Sequence, residues 1–465
     1  MKKHKNKRFT KRIFELLTTF AFVAGTVGMG IAFFVSPKSG YSEIERRKLT
    51  ELPEGTVENI ASGEYTDGIT KYVSDNFAFR DKLVKLAFDL EDKRGIRADG
   101  IKIYNDSAVG NKGGQIKLLS VDEPLKQIKK AKPQRETALL GEEVLEAINL
   151  EEILELDIYD DITEEQLVGE QRGALFMLGD KALEIFYGNE GVCNDYVNII
   201  NAYRASVPAN VNVYDLVIPT HFEFGLPEKY KSQVGRGQKQ FLEQIYSGLD
   251  ASVVAVDIYP AMYNAYAKGE YIYFRSDHHW TARGAYKAYS VFARKAGFKP
   301  TPLSEFEHKR IDKFLGTLYS STYDKNLAEN PDYVEYFKPK TEYTVTNYHK
   351  NGVDTYEGSL LYEAIKSDSS GYLVFMGGDI PLSVIETNNN TGRSIIVFKE
   401  SYGNAFIPFL VTSFDKVYVA DIRTFPFNAV NYVVENSITD VLFLNNTITS
   451  CTPPRIQNYL NMLSK

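Results

Sequence analysis

Ile395-Ile396-Val397-Phe398-Lys399-Glu400-Ser401-Tyr402-Gly403-Asn404-Ala405-Phe406 reads as a buried strand, a tight turn and the opening of a helix. A near-continuous run of β-branched and aromatic residues marks a strand covered on both faces, as in parallel sheets packed between helices. The same alternation runs through the chain beyond Gly173. Strands are expected at 211–218, 253–258, 372–376, 394–398, 416–419 and 441–444, and helices at about 195–206, 238–249, 282–296, 404–412 and 427–436. These patterns make the fold class α/β, with a central, mainly parallel sheet flanked by helices. No internal repeat of solenoid type is present.

A serine at such a turn sits on the C-terminal edge of the sheet, near free backbone N–H groups and the positive end of a helix. Those donors suit an oxyanion. Gly403 permits close backbone approach and Asn404 offers a side-chain donor. The commoner use of Glu-Ser at a strand end is as a helix cap, so Ser401 gains weight as a nucleophile only if a base accompanies it.

Ser276-Asp277-His278-His279-Trp280-Thr281 supplies the candidate base. It holds two of the six histidines beside a carboxylate and the single tryptophan. Thr281 is a plausible cap for the following helix, with Ala282, Ala285, Tyr289, Phe292 and Ala293 on one face and Gly297 as the stop. In extended chain, residues two apart share a side. Asp277 and His279 would then pair as orienter and base, with His278 pointing away toward packing or substrate. The same residues have the donor types of a metal site, or of a hydrogen-bonded turn. The metal reading is the weakest, because no His-Glu-x-x-His helix or cysteine cluster supports it.

The N-terminus is of another character. Seven Lys and Arg residues between Lys2 and Arg12 precede an almost uncharged run, 13–35, roughly the length that crosses a bilayer. With the basic end inside, the remainder faces outward. An uncleaved signal anchor is expected, a cleaved signal peptide being the alternative. Setting aside those seven residues and Glu15 leaves 47 of the 54 basic against 60 of the 61 acidic side chains, a balance of −13. Such a surface argues against nucleic acid or anionic lipid as partner. Cys193 and Cys451 are too few for a disulfide framework, though one bridge is compatible with an oxidising compartment.

The chain accordingly divides into a basic tail (1–12), a transmembrane signal anchor (13–35), a juxtamembrane linker with a helical segment (36–107), a charged and partly disordered insertion (108–168) and the α/β domain (169–465). The helical segment is expected over 60–95, where Phe77, Phe79, Leu83, Leu86, Ala87 and Leu90 recur at three- and four-residue steps. The insertion is basic over 126–135 and dense in acid over 142–165. Arg275, Arg283 and Arg423 are available to bind a carboxylate on a sugar, against the commoner salt-bridge role.

Asp277-His278-His279-Trp280 resembles the bacterial DHHW family, named for that motif. The likeness extends to Tyr41-Ser42-Glu43 with Glu45-Arg46-Arg47, to Asp75-Asn76-Phe77-Ala78-Phe79-Arg80-Asp81, to 314–320 and to 399–404. More distantly the chain is similar to the alginate O-acetyltransferase group, whose fold is SGNH-hydrolase-like and whose Asp-x-His element precedes its serine. That resemblance implies Ser401 as nucleophile with His279 and Asp277 as the acid–base pair. Beside these, Gly403, Asn404, His278, Trp280, Tyr402 and His221, the last placed after a strand on the same rim, are the candidate oxyanion- or substrate-binding residues, and no cofactor or metal is expected. One departure is Lys-Glu-Ser-Tyr where that pattern has Asp-Ser.

The expected function is extracytoplasmic acyl transfer to, or ester hydrolysis on, a cell-surface or secreted polysaccharide. A multi-pass membrane protein would donate the acyl group. The competing expectation is a tethered polysaccharide-binding or scaffold protein without chemistry.

Overall fold

The computed structural model describes residues 175–464 apart from 227–230, 233 and 366–369, together with short stretches upstream, among them 30–35, 41–42, 47–48, 50–53, 64–77, 101–104, 115–117 and 168–171. Met1–Ile96 and Arg97–Lys465 form two compact units.

In the first unit the helix Glu64–Asp75 ends where Asp75 turns its carboxylate onto Thr50, accepting from its backbone N at 2.9 Å and from its Oγ1 at 2.6 Å. Asn76 Nδ2 donates to Thr50 O at 2.9 Å. The helix expected over 60–95 thus stops before Phe77, and Phe79 sits at φ 60°; residues 80–95 lie outside the described residues. Residues 1–24 of the expected tail and anchor do too, and among the described residues no helix is long and apolar enough to cross a membrane.

The second unit is built on an eight-stranded sheet. Its strands, numbered along the chain, are β1 (Asn212–Ile218), β2 (Val253–Ala255), β3 (Tyr343–Tyr348), β4 (Thr355–Glu357), β5 (Leu382–Thr387), β6 (Ser394–Lys399), β7 (Lys416–Asp421) and β8 (Asp440–Asn446), in the spatial order β4-β3-β5-β7-β6-β8-β1-β2. The five strands from β7 to β2 are parallel, and β4, β3 and β5 continue the sheet antiparallel. The sheet is therefore mixed. The parallel half was legible as apolar runs, whereas β3 is half-polar and the edge strand β4 is exposed along its length, so both lack that signature.

β6 shows why the apolar run is continuous. Ile395 and Val397 enter one core and Ile396 and Phe398 the other, because successive side chains leave opposite faces of a strand. The first core is closed by the helix Ala282–Lys295, whose buried face is Ala282, Ala285, Ala288, Tyr289, Phe292 and Ala293. Full burial of Phe292 alone is worth about 1.5–3 kcal/mol. The helices Glu190–Ser206 and Pro453–Ser464 close the second core, and the bridge Cys193–Cys451 links them near their starts.

The strand expected at 372–376 is instead a 3₁₀ helix, Gly371–Val374, and the helix expected at 404–412 is a 3₁₀ turn, Ser401–Ala405, followed by the short helix Ile407–Leu410. Within 108–168 Gln115–Lys117 is a strand, and Val168 begins another, Val168–Gln171; both belong to a second, five-stranded sheet with Ile101–Tyr104, Leu175–Leu178 and Lys181–Glu184, and the rest of that segment lies outside the described residues.

Candidate active site

β6 delivers Ser401 to the C-terminal rim of the parallel strands, the edge at which open α/β sheets hold ligands. Glu400 caps the turn that follows. Its buried Oε2 accepts from Tyr402 N at 3.0 Å, and its Oε1 accepts from the backbone N and Nδ2 of Asn446 at the end of β8, at 3.3 and 3.1 Å. Glu400 thus ties the nucleophile turn to the neighbouring strand, and burial raises its carboxyl above the ordinary carboxylate range. Gly403 is required for space, since a Cβ there would stand 2.7 Å from Lys399 Cβ.

The Asp277–Trp280 segment is held from both ends. Asp332 accepts from Arg275 N, Ser276 N and Ser276 Oγ at 3.0, 2.7 and 2.6 Å, and Thr281 caps the next helix by accepting from Gly284 N at 3.3 Å. Between these anchors the chain bends. Asp277 Oδ1 accepts from His279 N at 3.0 Å and from His279 Nδ1–H at 2.6 Å, while Oδ2 accepts from Thr317 N at 2.8 Å and Thr317 Oγ1 at 3.1 Å. This fixes the imidazole with its proton on Nδ1 and its lone pair on Nε2. His279 Nε2 lies 2.8 Å from Ser401 Oγ, across 122 residues of sequence. Asp277 and His279 are buried and Ser401 is half-buried.

Asp277, His279 and Ser401 are therefore brought together. His278 departs from the alternation argument: its ring lies 3.8 Å from that of His279, not on the opposite side. A carboxylate bonded to the backbone two residues on makes an Asx-type turn, to which strand periodicity does not apply. His278 Nδ1 is 2.6 Å from Thr317 Oγ1, its ring keeps partial exposure, and burial together with neighbouring His279 lowers its proton affinity. The nitrogen and oxygen donors of Asp277, His278 and His279 lie within 4.8 Å of one another, but His279 and Asp277 spend theirs on the Asp–His–Ser chain.

Three expected substrate contacts are corrected. Trp280 and Tyr402 are wholly buried; Trp280 Nε1 donates to Tyr402 O at 2.8 Å and Tyr402 Oη donates to His278 O, so both brace the site from within the core. His221 is buried against Tyr273 with Nδ1 3.0 Å from Phe274 O, and burial lowers its pKa to about 3. Nor are all the expected oxyanion donors available. Tyr402 N is bound to Glu400 Oε2 and Gly403 N to Glu400 O at 2.9 Å, while Asn404 Nδ2 donates to Asp379 Oδ1 at 3.2 Å.

Arg275, Arg283 and Arg423 are all paired. Arg275 bonds Asp332 and Asp180, Arg283 bonds Glu335, and Arg423 bonds Asp379 and Asp421. Lys399, buried at the end of β6, reaches Asp379 at 3.1 Å and Asp421 at 3.7 Å. Against the burial that would raise it, Lys399 and Arg423 hold the Asp379 carboxyl below the usual carboxylate range. Sequence reasoning missed Asp379, Thr317 and Gly316, the last leaving room for Asp277: a Cβ on it would sit 2.2 Å from Asp277 Cβ. It also missed half-buried Glu184, whose carboxyl burial raises while His278 opposes the shift. Gly316 and Thr317 lie in the run 314–320, whose likeness to the DHHW family assigns them no role.

The profile of the DHHW protein family matches residues 145–420, and the chain belongs to that family. It is similar to a DHHW family protein from Eubacterium siraeum, with 32% identity over 62% of this chain and 95% of the other and a TM-score of 0.58. PatB1 of Bacillus cereus, 20% identical over 60% of this chain and 97% of its own, has a TM-score of 0.51 and shares the fold. The O-acetyltransferase domain of Pseudomonas putida AlgJ is more distant, 15% identical over 62% of this chain and 97% of its own with a TM-score of 0.35. Curated proteins give no match. The fold is mixed α/β with a large central sheet.

Proposed function

We propose that this protein is a membrane-anchored, extracytoplasmic Ser-His-Asp acyl-transfer enzyme that O-acetylates, or de-esterifies, a cell-surface or secreted polysaccharide. The reading rests on one observation, the unbroken chain from Asp277 Oδ1 to His279 Nδ1 at 2.6 Å and from His279 Nε2 to Ser401 Oγ at 2.8 Å. Ser401 Oγ attacks the acyl carbonyl as its proton passes to His279 Nε2, and Asp277 stabilises the resulting imidazolium. His279 returns that proton to the leaving group. It then takes a proton from the incoming sugar hydroxyl, or from water, which attacks the acyl-enzyme, and passes that proton to Ser401 Oγ as the acyl C–O bond breaks. The first N–H groups of a helical turn have no partner within it, so the N–H of Ser401 itself is the oxyanion donor in this scheme.

The anchor is residues 13–35 and the catalytic part 169–465, with a multi-pass membrane protein bringing the acyl group across the bilayer. Likeness to the AlgJ O-acetyltransferase domain is too distant to carry this reading. The direct test is Ser401→Ala in the detergent-solubilised full chain. Turnover of a chromogenic acetyl ester should fall by about 10³ or more; an unchanged slow rate removes the serine from the mechanism. The engagement of Tyr402 N and Gly403 N by Glu400 favours a second reading, a tethered glycan-binding scaffold. Glycan binding that survives both Ser401→Ala and His279→Ala, in a protein without turnover, would favour it.

A further inference from the structure

Tyr372 touches both halves of the Asp–His–Ser chain and belongs to neither motif. Its ring lies flat against the His279 imidazole, with centroids 3.8 Å apart and planes 8° from parallel. Its hydroxyl donates to Ser401 O at 3.0 Å and to Tyr402 O at 3.3 Å. Phe274 and Phe375 hold the ring edge-on at 6.2 and 5.3 Å. The same segment reaches the nucleophile turn again, where Gly378 O and Asp379 Oδ1 accept from Asn404 Nδ2. Between those contacts the backbone passes through three consecutive left-handed residues, Met376 (φ 62°), Gly377 (φ 71°) and Gly378 (φ 117°). A methionine in that region is strained, and such strain persists where surrounding contacts over-determine the chain.

We infer that Tyr372 is a positioning residue that sets the base against the nucleophile, its ring fixing the plane of His279 and its hydroxyl fixing the backbone of Ser401. This rests on the acyl-transfer reading of the site. Two physical effects follow. The ring holds His279 Nε2 on the line of the Ser401 proton, and a misplacement of about 1 Å there costs about 10²-fold in rate. The aromatic face also attracts the imidazole once it becomes a cation, an interaction present in the transition state and absent before it. Both effects act on kcat and leave KM alone.

The test compares Tyr372→Leu, which removes the ring, with Tyr372→Phe, which keeps the ring and removes the hydroxyl. Each is measured in the full chain as kcat and KM on a chromogenic acetyl ester, alongside the melting temperature. Tyr372→Leu should lower kcat about 100-fold with KM unchanged, and Tyr372→Phe should recover kcat to about tenfold below the parent. A residue that only supports the fold would lower the melting temperature and leave kcat per folded molecule as it was. A leucine variant with the parent's kcat, or a phenylalanine variant as slow as the leucine one, overturns the inference. Should the leucine variant fail to fold, Tyr372→Phe decides alone, since the parent's kcat in that variant overturns it. A parent whose turnover is no faster than that of Ser401→Ala points instead to failure of the acyl-transfer reading.

Discussion

Replacing Asp277 by Asn removes one charge and turns one acceptor into a donor at the centre of the site. Oδ1 accepts from His279 and Oδ2 from Thr317, so an amide satisfies one side only. With its carbonyl toward His279, the NH2 group confronts the Thr317 N–H, and a buried donor without an acceptor costs about 1–3 kcal/mol. With its NH2 group toward His279, Nδ1 becomes the acceptor and the ring proton moves to Nε2. There it faces Ser401 Oγ, which has lost its base. Triad enzymes lose about 10⁴ in kcat when the orienting carboxylate becomes an amide, or about 5.4 kcal/mol at 1.36 kcal/mol per tenfold. The second orientation keeps an acceptor on Thr317 and leaves the His279 backbone N–H without one, so Asp277→Asn is expected to fold with a loss of about 1–3 kcal/mol and to lose about 10⁴ in kcat on an acetyl ester, with KM nearly unchanged. Initial rates and a melting curve on the same sample are sufficient. A folded variant within tenfold of the parent's kcat would refute the role given to Asp277.

Gly316→Ala puts a methyl group 2.2 Å from Asp277 Cβ and 2.4 Å from Oδ2. Overpacking of this kind costs about 1–3 kcal/mol of stability, and displacement of the carboxylate should lower ester turnover about 100-fold; both are read from one preparation. Asp215 lies at the middle of β1, buried, with Tyr196 Oη donating to Oδ1 at 2.6 Å and Oδ2 without a partner. Burial raises its pKa to about 7. A raised carboxyl stabilises the fold below the ordinary carboxylate pKa, and that contribution is lost as pH rises from about 4 to about 7. Relative to the parent, Asp215→Asn should therefore gain about 4 kcal/mol between pH 4 and pH 8 in denaturant unfolding; parallel stability curves would show that Asp215 is not held neutral.

Much of the site was readable because its two motifs obey local rules. The Ile-Ile-Val-Phe run of β6 is apolar on both faces, which only a covered strand requires, and Thr281 with Gly297 marks the next helix at both ends. Asp277 bonds His279 through an Asx-type turn and not along an extended strand, and strand alternation therefore misplaces His278, whose ring lies beside that of His279. Tyr372 was unreadable. Tyr-Leu-Val-Phe has strand composition, but Gly371 before it and the left-handed residues after Phe375 fold it into a 3₁₀ turn. Glu307–Phe314 pairs with the mostly buried Asp332–Lys338 as a two-stranded ribbon, and the charged, largely exposed residues of Glu307–Phe314 carry no apolar period to detect. Asp379 and Thr317 reach the site through contacts 25 and 40 residues away in sequence, beyond any local pattern.

The central claim is that Ser401 is a nucleophile activated by His279, and covalent trapping tests it most directly. The full chain is treated with a sulfonyl fluoride, digested and mapped by mass spectrometry, beside His279→Ala treated identically. The account predicts a single adduct on Ser401 in the parent and loss of about 10²–10⁴ in its rate of formation without the imidazole. An adduct on other residues, or equal labelling of Ser401 in both proteins, would contradict it.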